Sequence, residues 1–172
     1  MLRESLCTVD LPKTEYLFNA AKAFESYSDM VYRLAFVRLC NTSDAEDVLS
    51  DVFLRLIKNS KKIKSEEHLK AWLIRATINC SYSVLSSAYR RHRADFEELS
   101  KQKAATTEES VLPLVLELPQ RFKTVVYMYY YEGYSVEDIA KLCSLPQGTV
   151  KSRLSRARQQ LKLQLKGEDI NV

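Results

Sequence analysis

Glycine and proline are scarce in this chain, at three and four among 172 residues. All-β folds need turn residues every ten or so positions, so this poverty excludes a sandwich or barrel and predicts helices. Soft metal ligands are few as well. Cys7, Cys40, Cys80 and Cys143 are scattered with no CxxC pair, and only His68 and His92 join them, which argues against zinc and for buried, reduced thiols. No apolar run approaches the roughly 20 residues that cross a bilayer, and the N-terminus has no basic segment followed by an apolar one. The chain reads as a cytosolic protein without membrane insertion. It also lacks paired catalytic carboxylates, a Ser/His/Asp set and a Gly-rich phosphate loop, so neither an enzyme nor a cofactor is expected. What remains, 46% hydrophobic and 28% charged residues with a net charge of +4, is the composition of a folded soluble protein.

The apolar spacing is helical. Val48, Leu49, Val52, Phe53, Leu56 and Ile57 form one stripe, with Ser43 and Glu46 as a capping box at its start. Upstream, Met30, Val31, Leu34, Ala35 and Leu39 form a second stripe, expected after a short separate helix carrying Leu17, Phe18, Ala21 and Phe24. Downstream, Leu69, Trp72, Leu73, Ala76, Cys80 and Val84 make a third, opened by Ser65. These predict a first helical module over residues 1–93. Residues 94–110 are polar and aperiodic and read as a flexible linker. A second module over residues 111–172 follows. Pro119 marks a helix start there, and a tyrosine-rich helix runs to Gly133. Ser135 and Asp138 cap a short helix with Ile139, Ala140 and Leu142, and a last helix presents Val150, Leu154, Ala157, Leu161 and Leu165 inward.

That last helix carries Lys151, Arg153, Arg156, Arg158, Lys162 and Lys166, with no acid between residues 147 and 166. Such a face suits a polyanion. A short capped helix, a bend and a longer basic helix together make a helix-turn-helix, whose second helix enters the major groove by its first residues.

Residues 148–161, GTVKSRLSRARQQL, preceded by YEGYSVEDIAKL, closely resemble the −35 recognition region of bacterial RNA polymerase sigma factors of the sigma-70 family, extracytoplasmic-function (ECF) class. AEDVLSDVFLRL at 45–56 and LKAWLIRATIN at 69–79 resemble that class's polymerase-binding and promoter-melting segments. Three motifs in order imply an all-α protein of two helical modules. It is expected to bind RNA polymerase core through the β′ clamp coiled coil and the β subunit, to recognise promoter DNA at −35 and −10 elements, and to be held by an anti-sigma factor.

Residue by residue, the resemblance places Thr149, Lys151, Ser152, Ser155 and Arg156 on −35 bases and phosphates. It places Asn79 beside the flipped −10 base, with Lys61, Lys62 and Lys64 before the helix and Arg90, Arg91 and Arg93 after it along single-strand phosphates. Asp47 and Asp51 fall on the face that docks on a basic coiled coil of polymerase. Trp72 matches a position in the −10 segment too, yet its place on the apolar stripe with Leu69 and Leu73 reads as core. Ser144 and Pro146 depart from the glycine and serine common in the turn, and Ala76 and Thr77 from the usual larger aliphatic and alanine. Two rivals stay open at this point: a dimeric helix-turn-helix regulator of duplex DNA, and a sigma-like adaptor that selects no promoter.

Overall fold

A computed structural model describes residues 19–92 and 112–168, with side chains from 19 to 87 and from 113 to 165. Helix α1 spans Ala20–Leu39, α2 Thr42–Asn59, α3 Glu66–His92, α4 Leu112–Glu117, α5 Gln120–Tyr130, α6 Val136–Cys143 and α7 Gln147–Glu168, with one 3-10 turn at Ser60–Lys62. Among the described residues every regular element is helical. The expected linker lies outside them.

Helices α1, α2 and α3 pack together. Ala23, Val31, Ala35, Ala45, Val48, Val52, Phe53, Leu56, Ile63, Leu69, Leu73 and Cys80 close one core. The α1–α2 joint is tight, because Cys40 takes a left-handed conformation (φ 53°) and returns its N–H to the Phe36 carbonyl at 2.7 Å. This leaves Asn41 as the one extended residue before α2, and its Oδ1 accepts from the Asp44 amide at 3.0 Å. The expected Ser43–Glu46 box is thereby corrected. Ser43 already lies within the helix, and asparagine caps as well as serine does.

Three further expectations change. Phe24 belongs to α1 itself rather than to a separate short helix, and it is exposed. Leu17 and Phe18 lie outside the described residues. Ile57 and Leu165, counted as inward, are exposed at 55% and 47%; Leu56 beside Ile57 is fully buried, so Ile57 lies at the edge of the stripe and turns to solvent. The serine at the head of α3 behaves as predicted, with Ser65 Oγ accepting from the His68 amide at 3.1 Å.

In the second module, Pro119 stands at the N-cap of α5 and Gly133 (φ 71°) follows its end. Ser135 caps α6 as predicted. Its Oγ accepts the Asp138 amide at 3.1 Å and donates to the Asp138 carboxylate at 2.6 Å. Ile139, Ala140 and Leu142 on α6 meet Val150, Leu154 and Ala157 on α7, all buried. Ser144 makes the bend with φ 54°, a left-handed value that favours glycine.

The modules are not separate bodies. Leu34 and Val37 of α1 and Ile74 of α3 are fully buried in the same core as Val115, Phe122, Val125, Val126, Met128 and Ile139 of the second module.

Candidate nucleic-acid and polymerase interfaces

Helix α7 begins at the bend after α6, and its first two turns bury Val150 and Leu154 on one side and turn the other outward. Lys151, Ser152, Ser155 and Arg156 are exposed, and Thr149 is half-buried. Ser152 Oγ donates to the Thr149 carbonyl at 3.0 Å. Arg153 is half-buried, and Arg158 Nε donates back to the Leu154 carbonyl at 3.3 Å, so these two are partly spent within the fold. The result is an outward surface with two free-standing cations flanked by short hydroxyls. It can meet phosphates and base-edge acceptors without desolvating an acid.

On α3, Asn79 is exposed and its amide faces solvent, while its carbonyl accepts from Ser83 Oγ at 3.1 Å. Trp72, two turns earlier, is half-buried against the first core. The departures noted at Ala76 and Thr77 have a structural outcome. Thr77 is fully buried, its Oγ1 donating to the Leu73 carbonyl at 2.8 Å, and the buried Ser81 repeats the bond to the Thr77 carbonyl at 2.7 Å. Two hydroxyls satisfied by their own helix sit where aliphatic packing would otherwise be, directly behind Asn79. Lys61, Lys62 and Lys64 are exposed before this helix. Arg90 and Arg91 lie in its final turn with side chains outside the described residues, and Arg93 lies outside the described residues altogether.

The acidic pair on α2 divides. Asp47 is exposed. Asp51 is half-buried, ion-paired with Arg55 at 2.8 Å, and its Oδ2 accepts from Cys80 Sγ at 3.4 Å. Burial, then the hydrogen bond to Asp51, raises the Cys80 thiol to about 11. Exposed Leu54 and Ile57 stand seven and ten residues beyond Asp47 and share its face. The sequence pattern hid them, because Ile57 fitted the core stripe and Leu54 fell just off it.

Two charged residues escaped the sequence reading altogether. Arg38 and Lys123 are each only 8% exposed. An arginine and a lysine within amphipathic helices ordinarily face water, so no periodic signal marked them.

Comparison with known proteins bears on these surfaces together. A model of sigma-70 region 2 matches residues 23–96, and one of sigma-70 region 4 matches residues 109–161, between them well over half of the chain. The chain belongs to the sigma-70 family. It is similar to the RNA polymerase sigma factor SigV of Bacillus subtilis, 29% identical over 144 residues covering 81% of this chain and 87% of that one. It is also similar to the ECF sigma factor SigW of the same organism, at 25% over 85% of this chain and 88% of the other. In fold it resembles RpoE of Bartonella quintana, solved in complex with the anti-sigma factor NepR, with a TM-score of 0.73 and 22% identity over 85% of this chain and 96% of that one. CnrH, solved with the cytosolic domain of CnrY, gives a TM-score of 0.63 and 19% identity over 86% and 88%. This sigma factor is thus a transcription initiation factor that binds RNA polymerase and directs it to promoters, and relatives it resembles are of the ECF class.

Proposed function

We propose that the second module, residues 111–172, reads the −35 element through Lys151 and Arg156, with Thr149, Ser152 and Ser155 beside them, and that the first, residues 1–93, holds the opened −10 strand through Asn79. The observation that carries this reading is the exposed face of α7, where a helix-turn-helix bend aims an acid-free row of cations away from the core. Lys61, Lys62, Arg90 and Arg91 track the strand's phosphates. Asp47, with Leu54 and Ile57 on the same face, docks on polymerase, the acid giving orientation and the aliphatic side chains burying area. Asp51 supports this face indirectly by holding Arg55 and Cys80.

In this reading the protein acts in the cytoplasm, catalyses nothing itself and leaves the chemistry to polymerase. That RpoE, a solved structure of similar fold, is bound to the anti-sigma factor NepR supports the same mode of restraint here. Elements named −35 and −10 are about 25 base pairs apart, roughly 85 Å of B-DNA. A compact body of this chain's length has a radius of gyration of only about 15 Å. Modules that share a core must therefore part before both elements are bound.

The decisive experiment is Asn79→Ala in a reconstituted holoenzyme. Closed-complex formation should persist while permanganate reactivity at −10 falls severalfold. Equal opening by variant and parent refutes the assignment.

A further inference from the structure

The contact between the modules carries an unusual electrostatic load. Arg38 reaches from α1 into the joint, where Nη1 donates to Thr124 Oγ1 of α5 and Nη2 to the Ile78 carbonyl of α3 at 3.4 Å. Its Nε is buried with no partner, and burial holds the guanidinium below its ordinary value. Lys123 enters the same joint from α5, its Nζ 2.9 Å from Cys40 Sγ. Neither cation is given a carboxylate. All three ion pairs among the described residues join helix neighbours at the surface, Arg33–Asp29, Arg55–Asp51 and Lys141–Glu137. Around the two cations the joint is apolar: Leu34, Val37 and Ile74 from the first module against Phe122, Val125 and Ile139 from the second.

These terms oppose each other. Burying the aliphatic side chains favours closure, whereas taking two cations out of water with only neutral acceptors opposes it. Opening rehydrates both cations at once.

We propose that Arg38 and Lys123 are a built-in release for the closed form: buried without a counter-charge, they keep the joint between the modules weak enough for polymerase to open it. This rests on the reading above, in which the open form is the one that binds core and promoter. The desolvation argument makes a counter-intuitive demand, since removing the interactions of Arg38 should strengthen the closed form. Were the hydrogen bond to Thr124 a clamp, the same change would weaken it.

The test uses the full chain with fluorophores placed by unnatural amino acids at the exposed positions Glu46 and Lys162, and measures energy transfer and core binding side by side. Arg38→Met and Lys123→Met should each move the transfer toward the closed-form value and raise the apparent Kd for core by about tenfold, as the open fraction falls. Thr124→Asp, which keeps Arg38 and supplies the missing carboxylate, should act in the same direction, and it guards against a methionine variant that loses helicity. Unchanged or opposite shifts in a folded variant overturn the proposal. If the transfer shifts as expected but core affinity does not change, the two cations set the strength of the joint, and the reading in which core binds the open form fails.

Discussion

Single residues show how local chemistry sets the surfaces. Ser144 takes a left-handed φ of 54° at the bend that aims α7, and a non-glycine residue there costs roughly 1 kcal/mol. Ser144→Gly should raise the unfolding free energy by about that amount in urea titration and leave DNA affinity unchanged, because the side chain touches no part of the outward face of α7. The two acids of α2 separate by partner. Asp47→Lys should weaken core binding with the melting temperature unchanged. Asp51→Lys should weaken it and also lower stability, since it breaks the Arg55 pair, worth about 0.5 kcal/mol as an exposed pair, and sets a cation beside Arg55. If Asp47→Lys leaves core affinity unchanged in a pull-down titration, the docking face is wrongly placed.

At the scale of elements, α7 is both a structural and a reading helix. Its inward side, Val150, Leu154 and Ala157, is buried, and on its outward side Lys151 and Arg156 are exposed with no ion pair among the described residues. Removing Lys151 or Arg156 should cost about 1 to 3 kcal/mol where a base contact is lost, or reduce the salt slope of binding by about one where a phosphate is. Titrations of holoenzyme on promoters with altered −35 bases separate the two outcomes, and a variant with parental affinity and slope removes that residue from the interface. The elements are also where the sequence was most informative. The serine signals at Ser65 and Ser135, Pro119 before α5 and the Val150–Leu154–Ala157 stripe depend on neighbours three or four residues away, and such rules are local. Asn41 was missed in favour of Ser43 because both cap well in isolation. The choice fell to the left-handed turn at Cys40, which packing of α1 on α2 imposes. Ile57 and Leu165 fitted their stripes but face solvent, because periodicity states a direction and not whether a partner waits there.

For the whole molecule, the shared core is the feature no local pattern discloses. Arg38 and Lys123 become buried only because two distant stretches of chain meet. Alkaline stability follows from the interiors so formed. Cys80 is raised to about 11, and burial followed by the Glu132 carboxylate raises the Tyr127 phenol further, its hydroxyl donating to Glu132 at 3.0 Å. Both groups hold their protons more tightly folded than unfolded. Their contribution is therefore complete below the unfolded values of about 8.5 and about 10, and is lost as pH rises through the folded ones. Urea midpoints should fall steadily above about pH 9. Cys80→Ala should flatten the first part of that decline and Tyr127→Phe the later part, and a parent curve level up to pH 11 contradicts both. The same layout has an optical consequence. Trp72 is the one tryptophan beside ten tyrosines, half-buried on α3 two turns before Asn79. Excited at the red edge of protein absorption, the chain emits from the first module alone. Its emission is then an intrinsic report on that helix in the free chain, readable as the two modules part without attaching anything to the protein.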